Sequence, residues 1–336
     1  MNFPAFARQF ALPAYTLLAT LSACSDSKTV APAAPANPET ITITRAALYP
    51  ESMAYDAANA HFLVGSLTAG AVGQVKDDGT YTTFAEDAQL VSTTGVFVDA
   101  PRNRVLVAVG DLGGNSARSS AATQYKLAAL ASYDRSTGRR LAYADLGGLR
   151  PGLSHFANDV AVDAQGNAYV TDSFAPIIYK IDAQGTASVF LQDSHLSAPA
   201  GNFGLNGIVF HPDGYLLVAK YDDGTLYKVP VANPSAFTRI TTTAVPSADG
   251  LLLADNNTLL VASNGIGTKT NTVFQVRTTD GWATAATANS IATGDVFPTA
   301  LVRRDADVYL LQSYVGALLA GQNPPVTQFG IQKLKL

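Results

Sequence analysis

The sequence predicts an all-β protein, a six-bladed β-propeller with four strands in each blade. Short apolar runs alternate with Gly-, Asp- and Asn-containing turns along most of the chain, which is typical of meandering antiparallel sheets. The arrangement repeats in six units whose starts are 43 to 64 residues apart, and units of about 40–50 residues are typical of propeller blades. Only 14% of the residues are charged, where about 25% is usual, which suits a β-rich protein that buries most of each strand.

The third unit shows the four strands most clearly. Its apolar runs follow Asn158 and then occupy residues 168–172, 177–181 and 187–190, with turns between them. The fourth and fifth units repeat this order, and the second and sixth are weaker copies. The six units start at Glu51, Thr94, Asn158, Asn206, Asp249 and Thr299.

A further strand precedes the first unit. Residues 40–44 read Thr-Ile-Thr-Ile-Thr and alternate as a strand does. We predict that this N-terminal strand pairs with residues 328–336 and completes the last blade. Strand pairing would then close the ring.

The N-terminus predicts export and a lipid anchor. The apolar stretch at residues 10–23 is shorter than the roughly 20 residues of a spanning helix, so residues 1–24 are interpreted as a lipoprotein signal peptide. The stretch ends in Leu-Ser-Ala-Cys, which resembles the bacterial lipobox, and Cys24 is the only cysteine. An ordinary signal peptide with a chance cysteine is the alternative.

Lipidation of Cys24 would place the protein in the bacterial cell envelope. Ser25 after the cysteine favours the periplasmic face of the outer membrane. Residues 25–38 are rich in Ala and Pro and are expected to form a linker, followed by the propeller at residues 39–336. We expect contact with the membrane only through the lipidated Cys24.

Charge and cysteine content exclude several classes of protein. The formal net charge is −4 and no block of Lys or Arg is present, which argues against a nucleic-acid partner. With a single cysteine, an intrachain disulfide and a thiolate metal site are both excluded. We expect a monomer.

One position of the repeat carries an oxygen-bearing side chain, which is followed by a small or turn residue and then by the apolar run of the first strand. It holds Glu51, Asn158, Asn206 and Asp249. First strands line the central channel of a propeller, so these side chains would converge on its axis. Turn capping is the structural alternative, but it does not account for the Ser, Asp or Gly that follows each of them. Thr94 and Thr299 occupy the same position and either help to bind substrate or only complete the ring.

Four hard oxygen ligands from four blades are what a calcium site needs. Two carboxylates balance a divalent cation, two amides add neutral ligands, and water or substrate completes the shell. The set contains neither His nor Cys, which disfavours zinc and copper. We therefore predict a Ca²⁺ site, or a site for another divalent cation, formed by Glu51, Asn158, Asn206 and Asp249.

Over roughly residues 45–320 the chain resembles the SMP-30/gluconolactonase/LRE-like family, which includes calcium-dependent phosphotriesterases. The matching segments are Pro50-Glu51, Asn158-Asp159, Asn206-Gly207 and Asp249-Gly250, in the first, third, fourth and fifth blades. The resemblance implies a catalytic calcium at those positions and hydrolysis of a small-molecule lactone, related ester or organophosphate. It also implies that calcium acts as a Lewis acid and that Asp249 is the general base or nucleophile.

One segment departs from the family. Its sugar-lactone members often carry Arg-x-Asn-Asp-Gly at the start of the second blade, whereas residues 91–95 of this chain are Val-Ser-Thr-Thr-Gly. The Arg, Asn and Asp are missing, so we expect a less polar ester or lactone as substrate. The main alternative function is a non-catalytic envelope propeller that binds a ligand or a protein and uses calcium only structurally.

Three further features have open roles. His155 and His195 could line the mouth of the pocket as proton carriers, or could be solvated loop residues. A Gly-, Ser- and Ala-rich insert at residues 110–128 lengthens the second unit. Inserts of this length are often lids or binding loops, and a disordered surface loop is the alternative.

Overall fold

In the computed structural model, which describes residues 1–2, 4–5, 36–266 and 271–336, 24 strands form six four-stranded antiparallel sheets. Five of these sheets are built from consecutive strands, and the sixth takes its outermost strand from the start of the chain. The first strand of each sheet contacts the first strands of both neighbouring sheets. The sheets form a closed ring, which confirms the prediction of a six-bladed β-propeller.

The strands are numbered in chain order and given from the channel outward. Blade 1 contains β2 (Met53–Asp56), β3 (His61–Val64), β4 (Ala71–Val75) and β5 (Tyr81–Glu86). Blade 2 contains β6 (Ser92–Asp99), β7 (Arg104–Gly110), β8 (Ala128–Asp134) and β9 (Arg140–Asp145). Blade 3 contains β10 (Ala157–Val162), β11 (Ala168–Asp172), β12 (Ile177–Ile181) and β13 (Ala187–Gln192).

Blade 4 contains β14 (Leu205–His211), β15 (Tyr215–Lys220), β16 (Leu226–Pro230) and β17 (Thr238–Arg239). Blade 5 contains β18 (Ala248–Asp255), β19 (Thr258–Ser263), β20 (Thr272–Arg277) and β21 (Ala286–Ala292). Blade 6 contains β22 (Pro298–Arg304), β23 (Asp307–Gln312), β24 (Gln328–Lys333) and β1 (Thr40–Thr44). A short helix, α1 (Val315–Leu319), follows β23.

Strand β1 closes the ring in the predicted way. It pairs antiparallel with β24, from Thr40 opposite Gln332 to Thr44 opposite Gln328. Ile41 and Ile43 are fully buried, while Thr40, Thr42 and Thr44 are exposed. The strand therefore supplies both backbone pairing and core side chains to the last blade.

Six hydrophobic clusters lie between the blades of the described chain, one at each interface. The second strand of a blade supplies side chains to two of them. In β3, Phe62 and Val64 pack toward blade 6, whereas Leu63 packs toward blade 2. Because side chains alternate along a strand, such strands are buried on both faces, and this explains why charged residues are scarce.

The insert between β7 and β8 packs against blade 1. The Arg118 guanidinium donates to the carbonyl oxygens of Gly70 at 2.5 Å and Leu90 at 3.0 Å, and it pairs with Glu86 at 2.8 Å. The side-chain amide of Asn115 donates to the Val91 carbonyl oxygen at 2.8 Å. These contacts attach the insert to the face of the ring on which the candidate site opens.

The predicted export segment lies almost entirely outside the described residues. Cys24 is among the residues that the structure does not describe, so its lipidation and the envelope location stay predictions. Within the described ranges, no helix is both long and apolar enough to cross a membrane. Residues Asn37–Leu336 form one compact unit that contains all six sheets.

We predict that β1 is essential for cooperative folding. Deleting residues 39–46 should abolish the cooperative unfolding transition, because blade 6 would lose its outermost strand. Ile43→Ala should lower the free energy of unfolding by about 2–5 kcal/mol, since it opens a cavity in the core. Thr42→Ala, at the exposed position between the two isoleucines, should change it by less than about 0.5 kcal/mol. Urea denaturation measures all three, and an unchanged transition after the deletion would refute the closure.

Candidate metal centre

Five of the six innermost strands contain a β-bulge at the same position. In β10 the register passes from Ala157 opposite Asp172 to Val160 opposite Val170, so Asn158 and the residue after it together face one partner residue. The same irregularity occurs in the innermost strands of blades 2, 4, 5 and 6. Bulges re-aim side chains, and here they fall on the oxygen-bearing position of the repeat. In blade 1 Glu51 lies two residues before the start of β2.

The four predicted ligands lie together at the centre of the ring. Glu51, Asn158, Asn206 and Asp249 line the same two cavities, and Thr299 joins them. We call these five residues the polar ring. Asn158, Asn206, Asp249 and Thr299 are buried, and Glu51 is half-buried.

The two threonines of the repeat differ in position. Thr299 belongs to the polar ring, and its hydroxyl oxygen is buried without a hydrogen-bond partner. Thr94 lines neither cavity, because its hydroxyl donates to the Ala157 carbonyl oxygen of the next blade at 2.8 Å. Thr94 therefore connects blades 2 and 3, and only Thr299 is placed to meet a ligand.

Blade packing explains the small or polar residue that follows each ring position. A Cβ atom at Gly207 would clash with the Asp249 carbonyl oxygen, and one at Gly250 with the Thr299 carbonyl oxygen. In blade 3, Asp159 instead accepts the Ile208 backbone N–H of the next blade at 3.2 Å. The second position of the motif is therefore a structural requirement and does not itself indicate a metal, contrary to the interpretation from the sequence.

The polar ring separates two cavities. A channel cavity of about 340 Å³ extends along the inner strands and is lined mostly by apolar side chains. A smaller mouth cavity of about 40 Å³ lies on the opposite side, where the inner strands begin. Its walls are apolar or aromatic and include Leu112 of the insert, Phe156, Phe203, Tyr221, Phe297 and Val315 of α1.

Residues that directly follow second strands hold the ring side chains. Asn264, after β19, donates its amide to Asp249 Oδ2 at 2.6 Å and to the Pro298 carbonyl oxygen at 2.8 Å. The Tyr221 hydroxyl, after β15, donates to Asn264 Oδ1 at 2.8 Å. Both ends of the Asn264 amide are therefore engaged, which fixes its contact with Asp249 Oδ2.

Asn158 has a comparable support in blade 3. Its amide nitrogen donates to Ser173 Oγ at 3.0 Å, and that hydroxyl donates to the Leu205 carbonyl oxygen at 2.6 Å. Because the Ser173 hydroxyl donates its one proton to Leu205, it can only accept from Asn158. The Asn158 atom that faces Ser173 is therefore the amide nitrogen. Sequence reasoning missed Ser173, Tyr221 and Asn264. Aligning the residue that follows the second strand of each unit would have placed them in one column.

Asn206 presents the clearest unsatisfied group of the site. Its side chain hydrogen-bonds to Asp249, yet the side-chain amide oxygen, Oδ1, is buried without a partner. A buried amide oxygen without a hydrogen bond costs free energy, so a ligand that satisfies it is favoured. A cation is such a ligand, since amide oxygens are common calcium ligands.

Burial is the main cause of a raised proton affinity in the three acidic side chains of the site. Burial raises the pKa of Glu51 well above its ordinary value, and the charges of Asp249 and Asp159 raise it further. Burial raises the pKa of Asp249 to about 8, although its hydrogen bond from Asn264 opposes the shift. Burial also raises the pKa of Asp159 to about 6, against hydrogen bonds from two backbone N–H groups. In the described chain no Lys, Arg or His lines either cavity.

The donor set fits a hard cation. Three acids share a desolvated region without a basic partner, and a bound cation would neutralise them. No group of three or more His, Cys, Asp or Glu is arranged for a metal among the described residues, so the set depends on the amide oxygens. Asp159 accepts hydrogen bonds from the backbone N–H groups of Val160 and Ile208 and lines the channel cavity but not the mouth cavity.

The two histidines of interest lie away from both cavities. His155 is buried, with Nδ1 at 2.7 Å from Asp172 Oδ2 and Nε2 at 3.0 Å from the Arg150 carbonyl oxygen. His195 is exposed and contacts Asp193 at 2.7 Å. The structure therefore does not support a role for either at the pocket mouth, and His155 holds loop 150–155 against β11.

No protein-family model matches the chain, and no curated protein matches it in sequence. Solved structures resemble it in fold. A gluconolactonase from Xanthomonas campestris has a TM-score of 0.58 and 14% identity, with 88% of this chain and 89% of that chain covered. A luciferin-regenerating enzyme has a TM-score of 0.58 and 11% identity, with 88% and 96% covered. Virginiamycin B lyase from Staphylococcus aureus has a TM-score of 0.54 and 9% identity, with 88% and 99% covered.

These neighbours differ in activity, and their identities to this chain are low. A likeness of this kind demonstrates a common architecture and carries no substrate or mechanism with it. The chain therefore has the propeller fold that is also found in a gluconolactonase and in virginiamycin B lyase.

Proposed function

We propose that the protein is a calcium-dependent hydrolase of a lactone or a related ester, organophosphates included. Glu51, Asn158, Asn206 and Asp249 would hold the Ca²⁺ ion, or another divalent cation. The observation that carries the proposal is the polar ring itself. It combines acids with raised pKa values, a buried amide oxygen without a partner and no basic side chain in the described cavity walls.

The position of the ring supports catalysis over a purely structural ion. The four ligand residues line cavities on both sides, so a water molecule or a substrate oxygen can approach from the mouth. When bound there, Ca²⁺ supplies Lewis-acid polarisation of a carbonyl or phosphoryl oxygen and stabilises the negative charge that develops on it. The neighbouring gluconolactonase fold agrees with this chemistry without demonstrating it.

Asp249 is the residue of this chain that is best placed to move a proton or attack. Its carboxylate lies at the boundary of the two cavities, and Asn264 holds one of its oxygens. A carboxyl group whose pKa is raised toward neutral pH is suited to general-base catalysis. The Tyr221 hydroxyl fixes Asn264 and so orients the Asp249 carboxylate indirectly.

The mouth favours an uncharged substrate of low polarity. Phe156, Phe203 and Phe297 wall the approach to the ring, and no basic side chain in the described residues meets it there. These rings exclude water from the reacting group and bind the apolar part of an ester. A polyhydroxylated sugar lactone would leave its hydroxyl groups without partners against such a surface.

A panel of substrates tests the proposal. The chain without residues 1–24 should hydrolyse at least one member of a set of lactones, aryl esters and phosphotriesters in the presence of Ca²⁺. A chelator should remove this activity, and Ca²⁺ should restore it. No turnover, together with a melting temperature that rises with Ca²⁺, would favour the non-catalytic propeller with a structural ion.

Asp249→Asn separates chemistry from cation binding. The variant keeps a ligand oxygen and loses the basic carboxylate, so we expect hydrolysis to fall by about 100-fold or more while Ca²⁺ still binds. Initial rates and a calcium-binding isotherm measure the two effects. Asp255→Asn, at the exposed end of the same strand, is the matched control and should keep full activity. Full activity in Asp249→Asn with calcium bound would exclude Asp249 as base or nucleophile.

The stability of the metal-free protein should depend on pH in a defined direction. Folded Asp249 keeps its proton up to a pKa of about 8, whereas the unfolded chain releases it near the ordinary value of 3.8. Between these limits the folded state binds more protons, so its free energy of unfolding falls as pH rises. In chelator we expect a lower melting temperature at pH 8 than at pH 5.

Calcium should reverse this loss. Binding requires deprotonated carboxylates, so Ca²⁺ should raise the melting temperature more at pH 8 than at pH 5. Asp249→Asn should show a smaller pH dependence in chelator than the native chain does. Identical pH profiles of the two proteins would contradict the assignment of the raised pKa to Asp249.

A further inference from the structure

A second concave surface lies beside the mouth cavity. This outer cavity has a volume of about 530 Å³, which is in the usual range for small-molecule sites. Four loops form it, and its largest apolar or aromatic side chains are those of Tyr125, Leu153, Phe174, Pro176 and Pro199. No charged residue of the described chain lines it.

A row of aromatic rings connects the outer cavity to the mouth. Phe174, in the outer cavity, stacks on Phe203, in the mouth, with ring centroids 5.2 Å apart and planes at 30°. Tyr125 meets Phe174 edge-on at 5.9 Å, and Phe203 meets Tyr221 edge-on at 6.0 Å. Tyr221 in turn bonds Asn264, which holds Asp249. The rings thus form one aromatic surface from the candidate catalytic carboxylate to the outer cavity.

Large apolar side chains are exposed along this surface. Tyr125 is 47% exposed and Leu153 is 42% exposed, both in the outer cavity. Ile266 and Leu319, which line the mouth, are similarly exposed. A contiguous apolar patch next to a functional site is typical of a binding surface, because leaving it in water forfeits hydrophobic free energy.

We propose that the outer cavity binds the alkyl or aryl substituent of the substrate while the ester or lactone group lies at the polar ring. This inference rests on the proposed hydrolase function and names its substrate class, an uncharged ester or lactone with an apolar substituent of several carbons. A substituent too short to pass Phe203 would contact neither Phe174 nor Leu153 in the outer cavity. A carboxylate or ammonium group on the substituent would lose its hydration without gaining a charged partner.

Binding and turnover of two lactones test this proposal separately. γ-Butyrolactone has no substituent, and γ-decalactone carries a hexyl chain. In chelator, calorimetric titration should show that γ-decalactone binds at least about tenfold more tightly, because its methylene groups become buried. With Ca²⁺, kcat/KM should favour γ-decalactone by a similar factor.

Two variants localise the effect. Leu153→Asp changes an exposed side chain of the outer cavity and should reduce the preference for γ-decalactone to less than about threefold. Phe174→Ala should act in the same direction. Leu141→Asp is the matched control, since Leu141 is 46% exposed on β9 and lines neither the mouth nor the outer cavity. This variant should keep the preference.

The outcomes distinguish the two proposals. Preferential binding of γ-decalactone that Leu153→Asp abolishes supports the outer cavity even if neither lactone is hydrolysed, and in that case only the hydrolase proposal fails. Equal affinities for the two lactones would overturn the outer-cavity proposal. A preference that survives Leu153→Asp in a protein with native melting temperature would also overturn it, whatever Phe174→Ala does to folding.

Discussion

The close contact between the innermost strands of neighbouring blades is the constraint on which the rest of the structure depends. In blades 1 to 5 the backbone of the next blade lies against the residue after the ring position, which is a glycine or a polar residue that accepts a backbone N–H of that next blade. The β-bulges that make this contact also turn the preceding side chain toward the axis. Closure of the ring and convergence of the polar ring are therefore consequences of the same local geometry.

The polar ring lowers stability in an otherwise apolar interior. Acids with raised pKa values and a buried amide oxygen without a partner are features that a protein core normally avoids. The six interface clusters supply the stability that makes such a site tolerable. Buried acids and unpaired polar atoms of this kind are expected at functional sites, where a bound ligand completes their interactions.

The sequence alone predicted the architecture because each blade repeats one local pattern. The alternation of Thr40–Thr44 identified the closing strand, and the oxygen-bearing column identified side chains that do converge. The sequence could not distinguish the roles of Thr94 and Thr299. The same residue type hydrogen-bonds to a neighbouring blade in one case and faces the channel in the other. The supports from Ser173 and Asn264 were missed because the residue after the second strand varies in type from blade to blade. The aromatic surface from Tyr125 to Tyr221 joins distant segments and leaves no local pattern.

The pairing of β1 with β24 has a consequence for biosynthesis. Strand β1 leaves the ribosome before the other described strands, yet its partner is the last of them to be made. Until then β1 has no sheet to join, and the emerging blades expose apolar faces that only the finished ring covers. Non-local pairing of this kind slows folding, and unpaired edges invite association with other chains. A nascent propeller of this design would benefit from a chaperone that shields those faces until translation ends.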